Sequence, residues 1–427
     1  MFTKLKLERF KNFERAELLL GPLTLCIGAN ASGKSNLRDA FRFLHGISRG
    51  YTLVDIMGQK WIEGGVLQWQ GIRGGNQEIT YRQTETFTLM VEFGRPTYIY
   101  SIEINPGSTI SRPRIVKESF YGPEGMIFDS HPSDNPPHQK DIEHLIVRIQ
   151  GKKSVESFIA NQPVLTQINQ PVSSQIRRGR RGRRSNRKKS RWPDVVTEAI
   201  ELFVEALGSI QFLDLNPEAM RLPSLPGQTI LGDRGENLSS VLQAICEDPQ
   251  RKAKLIDWIR ELTPMDAQDF EFPADQAGRI LVSLVEEDGQ KTSAYSASDG
   301  TLRFLGMIAA LLGPEPADFY FFEELENGLH PARLHLLLQL IERQVTEENI
   351  QIVATSHSPP LLRFLSPASL EYATLVYRLP GDSDARIKRI LDIPDARRVI
   401  DEYDIANLYE SGWFEDAMIF DEAKIPI

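Results

Sequence analysis

The sequence predicts an α/β protein: a mixed, mostly parallel sheet wound by helices, an antiparallel β portion, and an inserted helical and loop region. Two observations predict it. Through the last third of the chain, short apolar runs alternate with helix-length segments, the pattern of parallel strands joined by crossover helices. Near the start, an apolar run passes into a glycine-bearing loop that opens a helix, a strand–loop–helix unit suited to holding phosphate.

The elements follow in order. Phe2 to Arg9 alternates as a strand, and Leu23 to Ile27 is a short, buried one. The loop Gly28 to Ser35 comes next, then a helix to about His45. Thr86–Phe93 and Tyr98–Ile104 form an antiparallel pair broken at Gly94-Arg95-Pro96. From about Asn105 the pattern changes. His131 to His138 holds too much Pro and Asn for a packed element, and an arginine–glycine run follows. Such a run is expected to be disordered in isolation. Helices return at Val195–Leu207, Leu238–Ile245 and Lys254–Leu262, with a strand at Ile280–Glu286. An apolar helix, Thr301–Leu312, precedes the strand Phe319–Phe322. A helix, Leu334–Gln344, and a strand, Ile350–Ala354, complete the pattern. The expected organisation is a first half at 1–104, an insert at 105–207 and a second half at 208–427.

Composition narrows the function classes. A chain of 427 residues is long enough for a large core. No run of 18 apolar residues occurs, so no membrane span is expected. The alternating start, Met1 to Arg9, does not read as a signal peptide. The cysteines Cys26 and Cys246 are far apart in sequence, which excludes a disulfide framework and fits a reducing cytoplasm. The net charge of −9 hides an asymmetry, because Arg177 to Arg191 carries ten Arg or Lys and no acid. An acidic body with one basic strip is the main charge feature.

Four motifs carry chemistry. Gly28-Ala29-Asn30-Ala31-Ser32-Gly33-Lys34-Ser35, continued by Asn36, fits G-x-x-x-x-G-K-[ST] in its required strand-to-helix context. Lys34 would bridge the β- and γ-phosphates of a nucleotide, and the Ser35 hydroxyl would ligate Mg2+. The strand Phe319–Phe322 ends in Glu323-Glu324. Unpaired buried carboxylates are costly, so this end must emerge at a polar site. There Glu323 would hold the metal, and Glu324 would orient or deprotonate an attacking water. Ser298-Asp299-Gly300-Thr301 opens an apolar helix; alone it would read as an ordinary N-cap. His357 follows the strand Ile350–Ala354, where it can reach a γ-phosphate.

In this order the motifs resemble an AAA-type ATPase of the ABC superfamily, in the branch of RecF, SMC and OLD-like heads. Leu7-Glu8-Arg9-Phe10-Lys11-Asn12-Phe13 resembles the first strand of those heads, and Gly28 to Asn36 their phosphate loop. Ala297 to Thr301 stands at their signature, Glu323 to Pro331 at their Walker B and D-loop, and His357 at their switch histidine. The resemblance implies a P-loop NTPase head that binds ATP and Mg2+ and hydrolyses ATP. It implies composite sites in a homodimer, each closed by the other copy's Ser298, Asp299 and Gly300. It also implies a Q-loop residue on the metal side, assigned to Gln70 in preference to Gln68. Some positions depart from the family pattern. Glu323 replaces the usual Asp, Leu325 a Pro, His330 the transporters' D-loop Asp, and Asp299 the first signature Gly.

The basic strip could contact about six to ten phosphates, giving steeply salt-dependent nucleic-acid binding. No aromatic residue interleaves the arginines, so base stacking is not indicated. An acidic partner surface, or plain charge compensation, is the alternative use. OLD-type nucleases carry a TOPRIM domain after the head. Here Asp382-Ser383-Asp384 reads instead as a turn between Leu375–Tyr377 and Ile387–Ile390, so no nuclease is expected in this chain. A separate effector or nuclease is then a possible partner, as in antiphage or DNA-repair systems. The rival readings are a membrane transporter's ATPase subunit and a scaffold that binds ATP without hydrolysing it.

Overall fold

A computed structural model describes every residue except 63–64, 109–110, 133–142, 170–190, 263–266, 330 and 423–427. The basic strip, apart from Arg191, and the loop at 133–138 therefore lie outside the described residues.

The central sheet has six strands in the order Ile210–Leu213, Phe319–Phe322, Gln351–Ser356, Leu23–Ile27, Thr374–Tyr377 and Arg386–Arg389. The first five are parallel, and the last pairs antiparallel. The sheet is buried on both faces, which explains why its strands read as continuous apolar runs. Their side chains divide alternately between two cores. Tyr320, Phe322, Ile352 and Ala354 face one with the signature helix Asp299–Leu312; Phe319, Phe321 and Val353 face the other with the phosphate-loop helix Lys34–Ser48. Each fully buried Phe contributes on the order of 2–3 kcal/mol.

The antiparallel portion is larger than the strand pair visible in sequence. It has eight strands, ordered Glu156–Ile159, His144–Ile149, Gly125–Pro132, Arg114–Gly122, Tyr98–Asn105, Phe87–Phe93, Phe2–Phe10 and Phe13–Leu19. The sheet runs without a break across residue 105. The inserted stretch thus contributes four strands as well as the helices Val164–Asn169 and Asp194–Gly208. Its prolines had suggested loop, but Pro106, Pro113 and Pro123 fall between strands and Pro132 ends one, the places where a missing N–H costs least. Phe203 packs on Phe93 and Phe120, with ring centroids 4.7 and 5.1 Å away, sealing this sheet against the helix.

Among these strands lies a fully buried carboxylate, Glu118. It accepts hydrogen bonds from Val164 N (2.7 Å), Leu165 N (3.0 Å) and Tyr100 OH (2.9 Å). Burial outweighs these donors and pushes the carboxyl up from 4.5 to about 7. A raised pKa means that the folded state holds the proton more tightly. Its stabilising share is therefore complete below about 4.5 and is lost as pH rises through 7, by an amount on the order of 3 kcal/mol. In denaturant titrations the stability of the native chain relative to Glu118→Gln should fall across that window. A constant difference would remove the assignment.

Candidate functional site

The phosphate loop is shaped by backbone geometry that its glycines permit. Gly33 sits at φ 119° as the N-cap of Lys34–Ser48, a conformation costly for any other residue. At Gly28 a Cβ would lie 2.0 Å from the Val376 carbonyl oxygen. Ala29, Asn30 and Ala31 form the exposed crown of the loop, with Ala31 at φ 62°; Ser32 is buried beneath it. The Lys34 ammonium folds over the loop, donating to Gly28 O at 2.6 Å and Ala29 O at 2.9 Å. Burial lowers its pKa, opposed by the charges of Glu326 and Glu324. Asn36 Nδ2 donates to Asn12 Oδ1 at 2.6 Å, tying the loop to the turn after the first strand.

The acidic strand end lies beside this loop. The Ser35 hydroxyl sits close enough to the Glu323 carboxylate to lower its pKa, although the two are far apart in the sequence. Burial pushes the Glu323 carboxyl up, opposed by the positive charges of Arg38 and Arg73. Arg38 Nε is 3.2 Å from Glu323 Oε2 as an ion pair, though its N–H is not aligned as a hydrogen bond. A serine hydroxyl and a carboxylate close together, flanked by cations, form a donor set suited to Mg2+. That ion takes few protein ligands and fills its shell with phosphate and water. Among the described residues no three His, Cys, Asp or Glu side chains converge to hold a metal.

Glu324 points outward from the same turn. Its backbone has φ 49°, its N–H donates to Thr355 Oγ1 at 3.1 Å, and its Oε2 accepts from Asn327 Nδ2 at 3.1 Å. The end of the strand Gln351–Ser356 is the hub of the site. Thr355 holds Glu324, the Ser356 carbonyl accepts from Gly28 N at 3.3 Å, and His357 follows directly, with its side chain 47% exposed. Glu326, two residues beyond Glu324, is buried against His357.

The signature turn is built as a cap. Ser298 Oγ accepts from Thr301 N at 3.1 Å, and Asp299 Oδ1 takes Arg221 Nη2 at 2.6 Å. Arg221 thus offsets the charge that Asp299 introduces. At Gly300 a Cβ would lie 2.1 Å from the Gly328 carbonyl oxygen, so this turn is seated on the loop after the acidic strand. Among the described residues no hydrogen bond ties it to the chain's own phosphate loop.

Gln70 lies in the hairpin strand Val66–Gln70 with its side chain exposed, and its carbonyl accepts from Arg42 Nε at 2.7 Å. From this stretch it is Arg73 that reaches the site, donating to the Ser35 carbonyl and lying 3.4 Å from Asp39 Oδ2. Sequence reasoning missed Arg38, Arg73 and Glu326. Arg38 was findable, because position i+3 from Ser35 shares its helix face; Glu326 lay inside a motif already singled out. The Asp382–Asp384 turn joins the hairpin Thr374–Tyr377/Arg386–Arg389 as expected. Asp384 accepts from Tyr81 OH at 2.6 Å and Arg82 Nη2 at 2.9 Å, which are structural ties.

A family model described as "AAA domain, putative AbiEii toxin, Type IV TA system" matches residues 23–363. No curated protein matches the sequence. Among solved structures, the chain is similar to an SMC head bound to the C-winged helix domain of ScpA, with 12% identity and a TM-score of 0.47, covering 91% of this chain and 97% of that one. It is also similar to an SMC head domain from Thermotoga maritima (12% identity, TM-score 0.39, covering 91% and 98%). A third similar structure is a Pyrococcus furiosus Smc head with an extended coiled coil, bound to the C-terminal domain of ScpA (12%, 0.43, 94% and 98%).

Proposed function

This chain belongs to the AAA domain family, and on that premise we propose that it is an ATPase whose two composite sites form when two copies meet. Its turnover would control a partner effector or respond to nucleic acid. The observation that supports the reading is the acidic strand end beside the glycine loop: Glu323 pairs with Arg38 of the loop's helix at 3.2 Å and lies by Ser35, while Glu324 is exposed near Lys34. That neighbourhood supports assigning phosphate binding, metal ligation and water activation to one site.

Each residue then has one task. Backbone N–H groups of the loop between Gly28 and Asn36, at the start of its helix, receive the phosphates. Lys34 exchanges the Gly28 and Ala29 carbonyls for phosphate oxygens. Ser35 and Glu323 would hold the metal, and the exposed Gln70 side chain would have to swing in to join them. Mg2+, when bound, offsets the charge on the β- and γ-oxygens. Glu324 orients a water and takes its proton, while His357 faces the terminal phosphate. Ser298, Asp299 and Gly300 of a second copy would close the site, which accords with a signature turn that leaves its own phosphate loop open. Turnover of the native chain beside Glu324→Gln tests the reading. Equal rates would leave a scaffold that binds ATP without hydrolysing it.

The basic strip supports nucleic acid as the ligand that the head responds to. Deleting residues 177–191 is expected to weaken duplex binding and to flatten its salt dependence, the log–log slope losing roughly 0.9 per phosphate contact. Titration at several salt concentrations measures this, and an unchanged slope would assign the strip elsewhere. The family description's toxin–antitoxin wording accords with an effector role, including one in antiphage defence.

A further inference from the structure

Two carboxylates leave the acidic turn into opposite environments. Glu324 is exposed, whereas Glu326 is 8% exposed. Glu326 Oε1 accepts the backbone N–H of His357 at 2.8 Å and lies 3.1 Å from that histidine's Nδ1. Its second oxygen, Oε2, is buried without a hydrogen-bond partner among the described residues. Packing alone would favour an apolar residue here, because an unpaired buried carboxylate oxygen is costly. The charge also bears on the phosphate loop, since Glu326 is the foremost carboxylate opposing the burial of Lys34.

We propose that Glu326 is the positioning residue of His357, fixing the proton on Nδ1 and leaving Nε2 to face the nucleotide. A neutral imidazole carries its proton on either nitrogen, and a carboxylate at one of them selects that tautomer and fixes the ring plane. The backbone bond from His357 N to the same oxygen holds the strand end and the ring as one unit. Glu324 and Glu326 thus divide the work: the exposed carboxylate meets the water, and the buried one sets the histidine. The inference rests on the ATPase reading for its kinetic consequence, but not for its geometry.

Two measurements on the full chain test it. Long-range 1H–15N spectra of histidine-labelled protein, taken where the ring is neutral, report the tautomer. The native chain should show Nδ1–H. Glu326→Ala should move the proton to Nε2, the form free histidine prefers. Glu326→Gln, which keeps an accepting oxygen, should restore Nδ1–H. In turnover assays Glu326→Ala should lower kcat about 10- to 100-fold with KM changed less than about two-fold, and Glu326→Gln should recover part of the loss. On a His357→Ala background, Glu326→Ala should cost much less than it does in the native chain, leaving only its effect on Lys34, because a residue acting through another is not additive with it. A tautomer unchanged by Glu326→Ala, or losses that add in full, would overturn the proposal. A native chain that shows the tautomer pattern but no turnover would support the positioning role and count against the ATPase reading instead.

Discussion

Glu324→Gln is expected to lower the turnover of ATP by about 10²- to 10⁴-fold, the range for removing a general base, while leaving nucleotide affinity intact. The substitution is clean for structural reasons. The backbone at this position is held at φ 49° by the N–H bond to Thr355 Oγ1, which does not involve the side chain. A glutamine oxygen can also accept from Asn327 Nδ2 as Glu324 Oε2 does. The charge that would take the water's proton is lost, and little else changes. With chemistry blocked, bound ATP persists, so the variant should accumulate as a nucleotide-bound pair of chains. Light scattering with and without Mg-ATP would report the doubled mass. Equal turnover in the two proteins would remove Glu324 from the chemistry.

The second large effect concerns binding. Lys34→Met is expected to raise the dissociation constant for ATP by roughly 100-fold. A charge-assisted hydrogen bond is worth about 1.5–3 kcal/mol, and the ammonium would serve two phosphates. Methionine keeps most of the buried stem, so the loop's packing is preserved. What disappears is the donor that now bridges Gly28 O and Ala29 O. Titration with a fluorescent ATP analogue measures the change, and a thermal melt without nucleotide checks that the fold is intact. Unchanged affinity would mean that the glycine loop is a structural turn.

Much of this site was legible in the sequence, because its parts obey strong local rules. A glycine loop between an apolar strand and a helix has few alternatives, and Glu323-Glu324 after four aromatic residues had to surface somewhere polar. The resemblance supplied what local rules do not. Nothing near Ser298 says that this cap differs from any other, and only its place before the acidic strand did so. The antiparallel sheet was legible only in part. His144 to Ile149 carries Leu-Ile-Val in a row, so its alternation shows only in the folded burial, and the prolines before it read as loop. In Arg114–Gly122 the buried Glu118 breaks the polar–apolar alternation. Glu326 and Arg73 escaped for a different reason: their roles depend on which chain segments meet. Glu326 needs the end of a strand thirty residues on, and Arg73 needs a hairpin folded back on the helix.

The contact of Gly300 with Gly328 carries one more consequence. A Cβ at Gly300 would meet the Gly328 carbonyl oxygen, and Gly328 itself sits at φ 75°, so the start of the signature helix and the loop beyond Glu324 are seated backbone to backbone. In a pair of chains that helix start would cover the neighbour's nucleotide, while the loop belongs to the chain's own. A shift of that loop when phosphate leaves one site would then tug at the closure of the other. In such a pair, turnover at one site would be expected to depend on the other, which cooperative ATP kinetics would report.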